Sequence, residues 1–210
     1  YTTMRFLNTL SGKFSLLATL ALGATTLAPV GAESFTGDAK LRHDYKMGFK
    51  YPMDINGEIP YWRTYGSTSN KDYYIQLAPN VTHQQGSMWS TRTNPHANWV
   101  ANFTFYIAGL DEYGSDGLAL WYTANEGRSG NLYGNENPFK GLGLIFHTYN
   151  EYEHKPSPFV MAYVNDGHTH LDVHNTAHDH LMVGACFRDV RNTHPHLVHA
   201  RLTYDDHKLS

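Results

Sequence analysis

GSDGLALWYT at Gly114–Thr123 and GLGLIFHTY at Gly141–Tyr149 decide the fold of this chain. Each opens on glycine and runs through leucine, isoleucine and aromatic residues without an apolar stripe at helical spacing. Short runs of that composition, closed by turn formers, are the pattern of strands, here Gly117–Thr123 and Gly141–Thr148. Working outward, the same pattern predicts strands at Tyr73–Leu77, Ser87–Trp89, Trp99–Ile107, Phe159–Val164, His168–Leu171 and Val198–Tyr204. In Trp99–Ile107 the alternation puts Trp99, Ala101, Phe103, Phe105 and Ile107 on one face and Val100, Asn102, Thr104 and Tyr106 on the other. Asn165, Asp166 and Gly167 are expected to fold Phe159–Val164 back on the next strand as a hairpin. No segment predicts a helix. So many antiparallel strands in one chain imply an all-β sandwich or jelly roll.

The 210 residues, 41% hydrophobic and with 15 tyrosines, suffice for one core, and one domain is expected. A formal charge of -3 with scattered Lys and Arg provides no basic stripe, which argues against nucleic acid as a partner. The longest apolar stretch, Phe14–Leu27, is broken by Thr19, Gly23, Thr25 and Thr26 and is too short to span a membrane as a helix. Arg5 and Lys13 precede it, and Val30, Gly31 and Ala32 follow it. That is the layout of a secretory leader, so residues 1–32 are expected to hold upstream residues and a signal peptide, and residues 33–210 the mature domain. Entry into the lumen gives meaning to two glycosylation sequons, Asn80 with Thr82 and Asn102 with Thr104. It also makes the single Cys186 a thiol whose disulfide partner is expected outside this chain. Near the end, Val198, Ala200, Leu202 and Tyr204 alternate with polar residues before the turn formers Asp205 and Asp206. A hairpin whose second strand is absent is expected there, and with it a C-terminally truncated domain.

LRHDYKMGFKYP from Leu41, IPYWRTYGST from Ile59, IQLAPNVTHQQGSMW from Ile75, DGLALWYT from Asp116, GACFRDVRN from Gly184 and ARLTYDDHKL from Ala200 together carry a resemblance. Their order and spacing resemble the legume-like (L-type) lectin domains of early secretory pathway cargo receptors, over nearly the whole mature chain. The resemblance implies a concanavalin-like jelly-roll sandwich with a calcium ion beside a shallow sugar site on its concave sheet. By that resemblance Asp116 is the carboxylate that accepts hydrogen bonds from mannose hydroxyls, preceded by a cis peptide from Ser115, and Ser87 touches the sugar. The family's sugar-binding histidine falls on Val173 without a gap and on His174 after a one-residue insertion. The family's asparagine falls on Glu151, with Asn150 one position earlier, and the carbonyl of Tyr149 matches a calcium ligand.

Two acidic ligands are replaced. The calcium aspartate falls on His147 and the last one on Thr176, with Asp172 and Asp179 as the nearest carboxylates. Calcium takes hard oxygen ligands and its affinity follows their charge, whereas imidazole suits zinc, copper or nickel. Calcium is therefore implied by the resemblance and expected to bind weakly or not at all. His168, His170, His174, His178 and His180 crowd one segment, and on a strand His168 and His170 would point the same way. Such a cluster would suit a transition metal, or a response to falling pH between ER and Golgi, since imidazoles charge near about pH 6.5.

The resemblance implies a lectin-type receptor domain, not an enzyme, binding high-mannose N-glycans of glycoprotein cargo during ER to Golgi transport. It further implies oligomers, a membrane anchor beyond the C-terminus, and residence in the ER lumen, intermediate compartment and Golgi. A glycan-silent module partnering an active lectin paralogue is the alternative, favoured by His147, Val173 and Thr176. A glycoside hydrolase on a similar sandwich needs two carboxylates across a cleft. Asp111, Glu112 and Asp116 lie close in sequence, but no paired-acid strand motif accompanies them.

Overall fold

The structure is a computed structural model and describes residues 2–10, 41–48, 58–71, 73–109, 116–150, 155–193 and 195–210. Among them the strands are β1 Thr2–Leu10, β2 Trp62–Gly66, β3 Ser69–Asn70, β4 Ile75–Gln76, β5 Gly86–Ser90, β6 Trp99–Ile107, β7 Gly117–Thr123, β8 Lys140–Asn150, β9 Lys155–Asp166, β10 Met182–Phe187, β11 Val198–Asp205 and β12 Lys208–Leu209. A single 3-10 helix, Thr176–Leu181, is the helical element among the described residues. The strands form a six-stranded sheet in the order β12-β11-β6-β1-β4-β3, a four-stranded sheet in the order β10-β9-β8-β7, and the ribbon β2-β5. Every named strand pair is antiparallel, which makes this the all-β sandwich that the strand pattern predicts.

The sandwich core forms because β6, β7 and β8 each bring an apolar parity to the same space. Phe103, Phe105 and Ile107 of β6 are buried against Leu118 of β7 and Phe146 of β8. The Phe146 ring meets Phe105 at 4.7 Å and 61° and Phe103 at 5.8 Å and 83°, the edge-on geometry that aromatic quadrupoles favour. Farther along the strands, Trp99, Leu142 and Leu202 continue that layer. The opposite face of the four-stranded sheet is also buried, where Ile145, Met161 and Tyr163 lie under Leu132, Phe139 and Leu171 from two loops. Strand β8 is thus covered on both faces, with Leu142, Leu144 and Phe146 on the sandwich side and Ile145 and His147 on the loop side.

Several expectations are corrected. His168–Leu171 is not a strand, because its backbone is bonded by side chains rather than by a neighbouring ladder. Asn165 Nδ2 donates to Thr169 O at 2.6 Å, and Asn137 Oδ1 accepts from Leu171 N at 2.8 Å. Asn165–Gly167 therefore closes no hairpin, and His168 and His170 share no strand face. β9 instead runs on to Asp166 and pairs with β8 and β10. The terminal hairpin does have a second strand, since Tyr204 pairs with Leu209 and Asp205 with Lys208 around left-handed Asp206 and His207. Tyr73–Leu77 shortens to Ile75–Gln76, and β2 and β10 are strands that the pattern did not predict. The apolar part of the expected leader, Phe14–Leu27, lies outside the described residues. Thr2–Leu10 forms β1 between β6 and β4.

Candidate functional site

The site is built where β7 begins. Gly117 pairs with His147 of β8, and Thr148 N–H donates to the Asp116 carbonyl at 3.0 Å, which fixes Asp116 at the end of the ladder. Gly117 has φ +128°, and a Cβ there would lie 2.0 Å from the Phe146 carbonyl oxygen, so only glycine fits. Asp116 is exposed and lines a cleft of about 1280 Å³ together with Ser87, Asn131, Tyr133 and Gly134. Residues of both parities of β7 line this cleft, from Leu118 to Trp121, so it follows the strand's free edge. Trp99 and Leu209 line it as well.

Ser87 reaches the same cleft from β5, where it pairs with Tyr65 of β2. The ribbon carrying it is pinned by Arg63, whose Nη1 lies 2.7 Å from Glu126 Oε1, and by Trp89, which packs against Gly127. Ser87 is buried, and among the described residues its hydroxyl has no hydrogen-bond partner. An unpaired buried polar group costs about 1–3 kcal/mol.

Between Ser87 and Asp116 stands a tight turn at Leu132–Asn135. Asn135 N donates to Leu132 O at 2.9 Å, and Tyr133 and Gly134 both have positive φ, the type I′ arrangement. A Cβ on Gly134 would lie 3.5 Å from Ser87 Cβ, so the turn rests on β5. A left-handed tyrosine is uncommon and costs about 1–3 kcal/mol. Here the side chain is anchored, because Tyr133 Oη and His147 Nδ1 share a hydrogen bond of 2.6 Å. His147 is 4% exposed, and the His174 ring packs edge-on against it at 5.2 Å and 68°.

His174 is carried by a strap over the outer face of the four-stranded sheet. Asn137 clamps that strap by donating from Nδ2 to Leu171 O at 2.7 Å while Oδ1 accepts from Leu171 N. Asp172 Oδ1 then accepts from His174 N at 2.9 Å and shapes the turn. Val173 packs into the apolar cluster beneath the strap instead, and Thr176 opens the 3-10 helix.

The structure thus brings Asp116, Ser87, His147 and His174 together around Tyr133. Tyr149 follows a register shift between β8 and β9 and is half-buried. Of Asn150 only the backbone is described, paired with Lys155, and Ser115 and Glu151 lie outside the described residues. The crowded histidines diverge. His178 Nδ1 accepts from Asp172 N, His180 Nδ1 bonds Ala177 O, and His168 and His170 are exposed. Burial raises the Tyr163 phenol pKa, and the carboxylates of Asp179 and Asp172 raise it further, so both acids act on Tyr163. Cys186 is an exposed free thiol on the edge strand β10. Tyr133 and Asn137 are site residues that sequence reasoning missed, and the only signals for them were the turn formers Gly134 and Pro138 beside them.

Among the described residues around Tyr133 the chemistry is imidazole and phenol rather than a set of carboxylate oxygens. His147 presents an imidazole already bonded to a phenol, not a carboxylate oxygen. Among the described residues no three His, Cys, Asp or Glu side chains are grouped to hold a metal ion.

Residues 39–210 match the legume-like lectin family. The chain belongs to that family. This legume-like lectin is 32% identical over 177 residues to protein ERGIC-53 of Chlorocebus aethiops, covering 83% of this chain and 34% of the relative. It is 29% identical over 159 residues to the human VIP36-like protein, covering 73% of this chain and 45% of the relative. The chain thus spans about a third to a half of the length of these relatives. Among solved structures, the VIP36 exoplasmic/lumenal domain in its Ca2+/Man2-bound form matches with TM-score 0.66 and 26% identity, over 76% of this chain and 65% of that one. VIP36 has also been solved metal-free, and the fold matches that form too, with TM-score 0.62. Family membership sets the hydrolase reading aside, and the legume-like lectin described here is not an enzyme.

Proposed function

We propose that this legume-like lectin binds high-mannose N-glycans on glycoprotein cargo moving from ER to Golgi, with Asp116 and Ser87 as the sugar contacts. The observation that carries the reading is the exposed Asp116 carboxylate at the mouth of a cleft that Ser87 also lines. A carboxylate accepts strongly from sugar hydroxyls, and a hydroxyl can donate and accept, which is the pairing a diol needs. The mannose-bound VIP36 structures support this ligand class. His174 and Asn150 are the further sugar contacts in this reading.

One shallow site would bind a single sugar near the millimolar level, about -4 kcal/mol, so capture of cargo calls for oligomers. A secretory leader within residues 1–32, an anchor and a Cys186 partner beyond Ser210, and residence in the early secretory pathway belong to the same proposal. So do glycans at Asn80, exposed in a turn, and at half-buried Asn102. A leader cleaved near Glu33 would take β1 with it, and N-terminal sequencing of the processed protein tests that step.

A glycan array probed with the wild type and Asp116→Ala, each with calcium and with chelator, tests the central reading. Binding to high-mannose glycans that falls at least about tenfold in Asp116→Ala is expected, the cost of one charge-assisted hydrogen bond. No binding by the wild type under any condition refutes it. That outcome would select the second reading, a glycan-silent partner of an active lectin, which the replacement of a metal carboxylate by His147 favours.

A further inference from the structure

We propose that the Tyr133–His147 hydrogen bond, backed by the His174 ring, braces the sugar-side backbone so that the site assembles without calcium. The inference rests on the proposed glycan reading and adds what holds that site together. A calcium ion in a lectin loop stiffens segments that would otherwise move independently, and it binds through hard oxygen ligands whose charge sets its affinity. Here the equivalent position carries a buried imidazole whose Nδ1 is 2.6 Å from the Tyr133 hydroxyl, a short hydrogen bond.

That bond joins the three elements the site needs. His147 lies opposite Gly117 in the β7–β8 ladder, and its neighbour Thr148 donates to the Asp116 carbonyl, so the imidazole is one residue from the bond that sets Asp116. Tyr133 belongs to the turn whose Gly134 rests on Ser87, so its hydroxyl ties the β5 side to the β8 side. His174 closes the remaining side edge-on, on a strap clamped by Asn137 to Leu171. The left-handed φ of 47° at Tyr133 is sustained by that anchored side chain. Tyr133 and His147 are positioning residues, acting through the backbone of Asp116 and the placement of Ser87.

The experiment uses the full chain labelled with nitrogen-15. In the wild type the His147 ring nitrogens are expected to show one fixed neutral tautomer, and the amides of Gly117 and Thr148 to have the same shifts in chelator and in excess calcium. Tyr133→Phe is expected to remain folded by circular dichroism, to release the His147 tautomer, to shift the Gly117 and Thr148 amides, and to weaken glycan binding about tenfold. A Tyr133→Phe chain that fails to fold is replaced by His147→Gln, which keeps a polar side chain but removes the ring, and the same amide shifts are expected. Calcium-dependent shifts at Gly117 and Thr148 in the wild type would overturn the proposal. So would unchanged amides and affinity in the variants. The tautomer and amide readings need no glycan, so a wild type that binds no sugar refutes the glycan reading while the brace is still decided.

Discussion

Gly117→Ala is the substitution whose effect follows most directly from the geometry. Gly117 has φ +128°, and an alanine Cβ would sit 2.0 Å from the Phe146 carbonyl oxygen and 3.1 Å from its carbon. The obstructing atoms are backbone of the interior strand β8, so relief requires β7 and β8 to part at their first rung. Holding an L-residue in this conformation costs about 1–3 kcal/mol. Opening the rung loses the Thr148 to Asp116 hydrogen bond, about 1 kcal/mol more. Reduced unfolded-state freedom adds a further cost-neutral to favourable contribution of at most about 1 kcal/mol in alanine's favour. The net destabilisation is about 1–4 kcal/mol, which for a chain of this size lowers Tm by roughly 2–16 °C. Because Asp116 is attached to the same rung, glycan affinity is expected to fall together with stability. Thermal melts by circular dichroism and glycan binding below the transition measure the two effects. Gly184→Ala on β10 is the control, since a Cβ there meets nothing within 4 Å. A Gly117→Ala protein that melts with the wild type and binds as well would refute the reasoning.

Asn137→Ala removes both hydrogen bonds to Leu171 and leaves its half-buried backbone groups unpaired, for about 1–3 kcal/mol. Amide hydrogen exchange at Leu171 and His174 is expected to accelerate while β6 stays protected, and unchanged exchange on the strap would contradict the clamp. Burial pushes the Tyr122 phenol up to about 12 from its ordinary value of 10. The folded state therefore favours the neutral phenol, so this contribution is fully present below pH 10 and is lost as pH rises toward 12. Stability measured by denaturant titration is expected to fall across that window, with a shallower fall in Tyr122→Phe.

The boundaries of β6 and β7 are legible in the sequence because alternation or continuous apolar content there coincides with real burial. Trp99, Phe103, Phe105 and Ile107 share a face and are all buried. β10 was not legible because it is an edge strand with Val183 58% and Phe187 70% exposed, so its apolar residues report no core. His168–Leu171 misled in the opposite sense. Its alternation resembles a strand, but the side-chain amides of Asn165 and Asn137 satisfy its backbone, and a period-2 pattern carries no information about which donor will do so.

The sequence by itself determined the all-β sandwich and the family, since each depends on residue identity along the chain. Only the tertiary structure decided between Val173 and His174 as the residue facing His147, because one position of register in an irregular strap reverses which side chain enters the site. Only it placed Tyr133, which is 14 residues from His147 in the chain yet within hydrogen-bond reach. GSDGLALWYT and GLGLIFHTY remain the two halves of the site. What joins them is a phenol–imidazole contact between a loop and a strand, and contacts of that kind are set by how elements pack rather than by any local pattern.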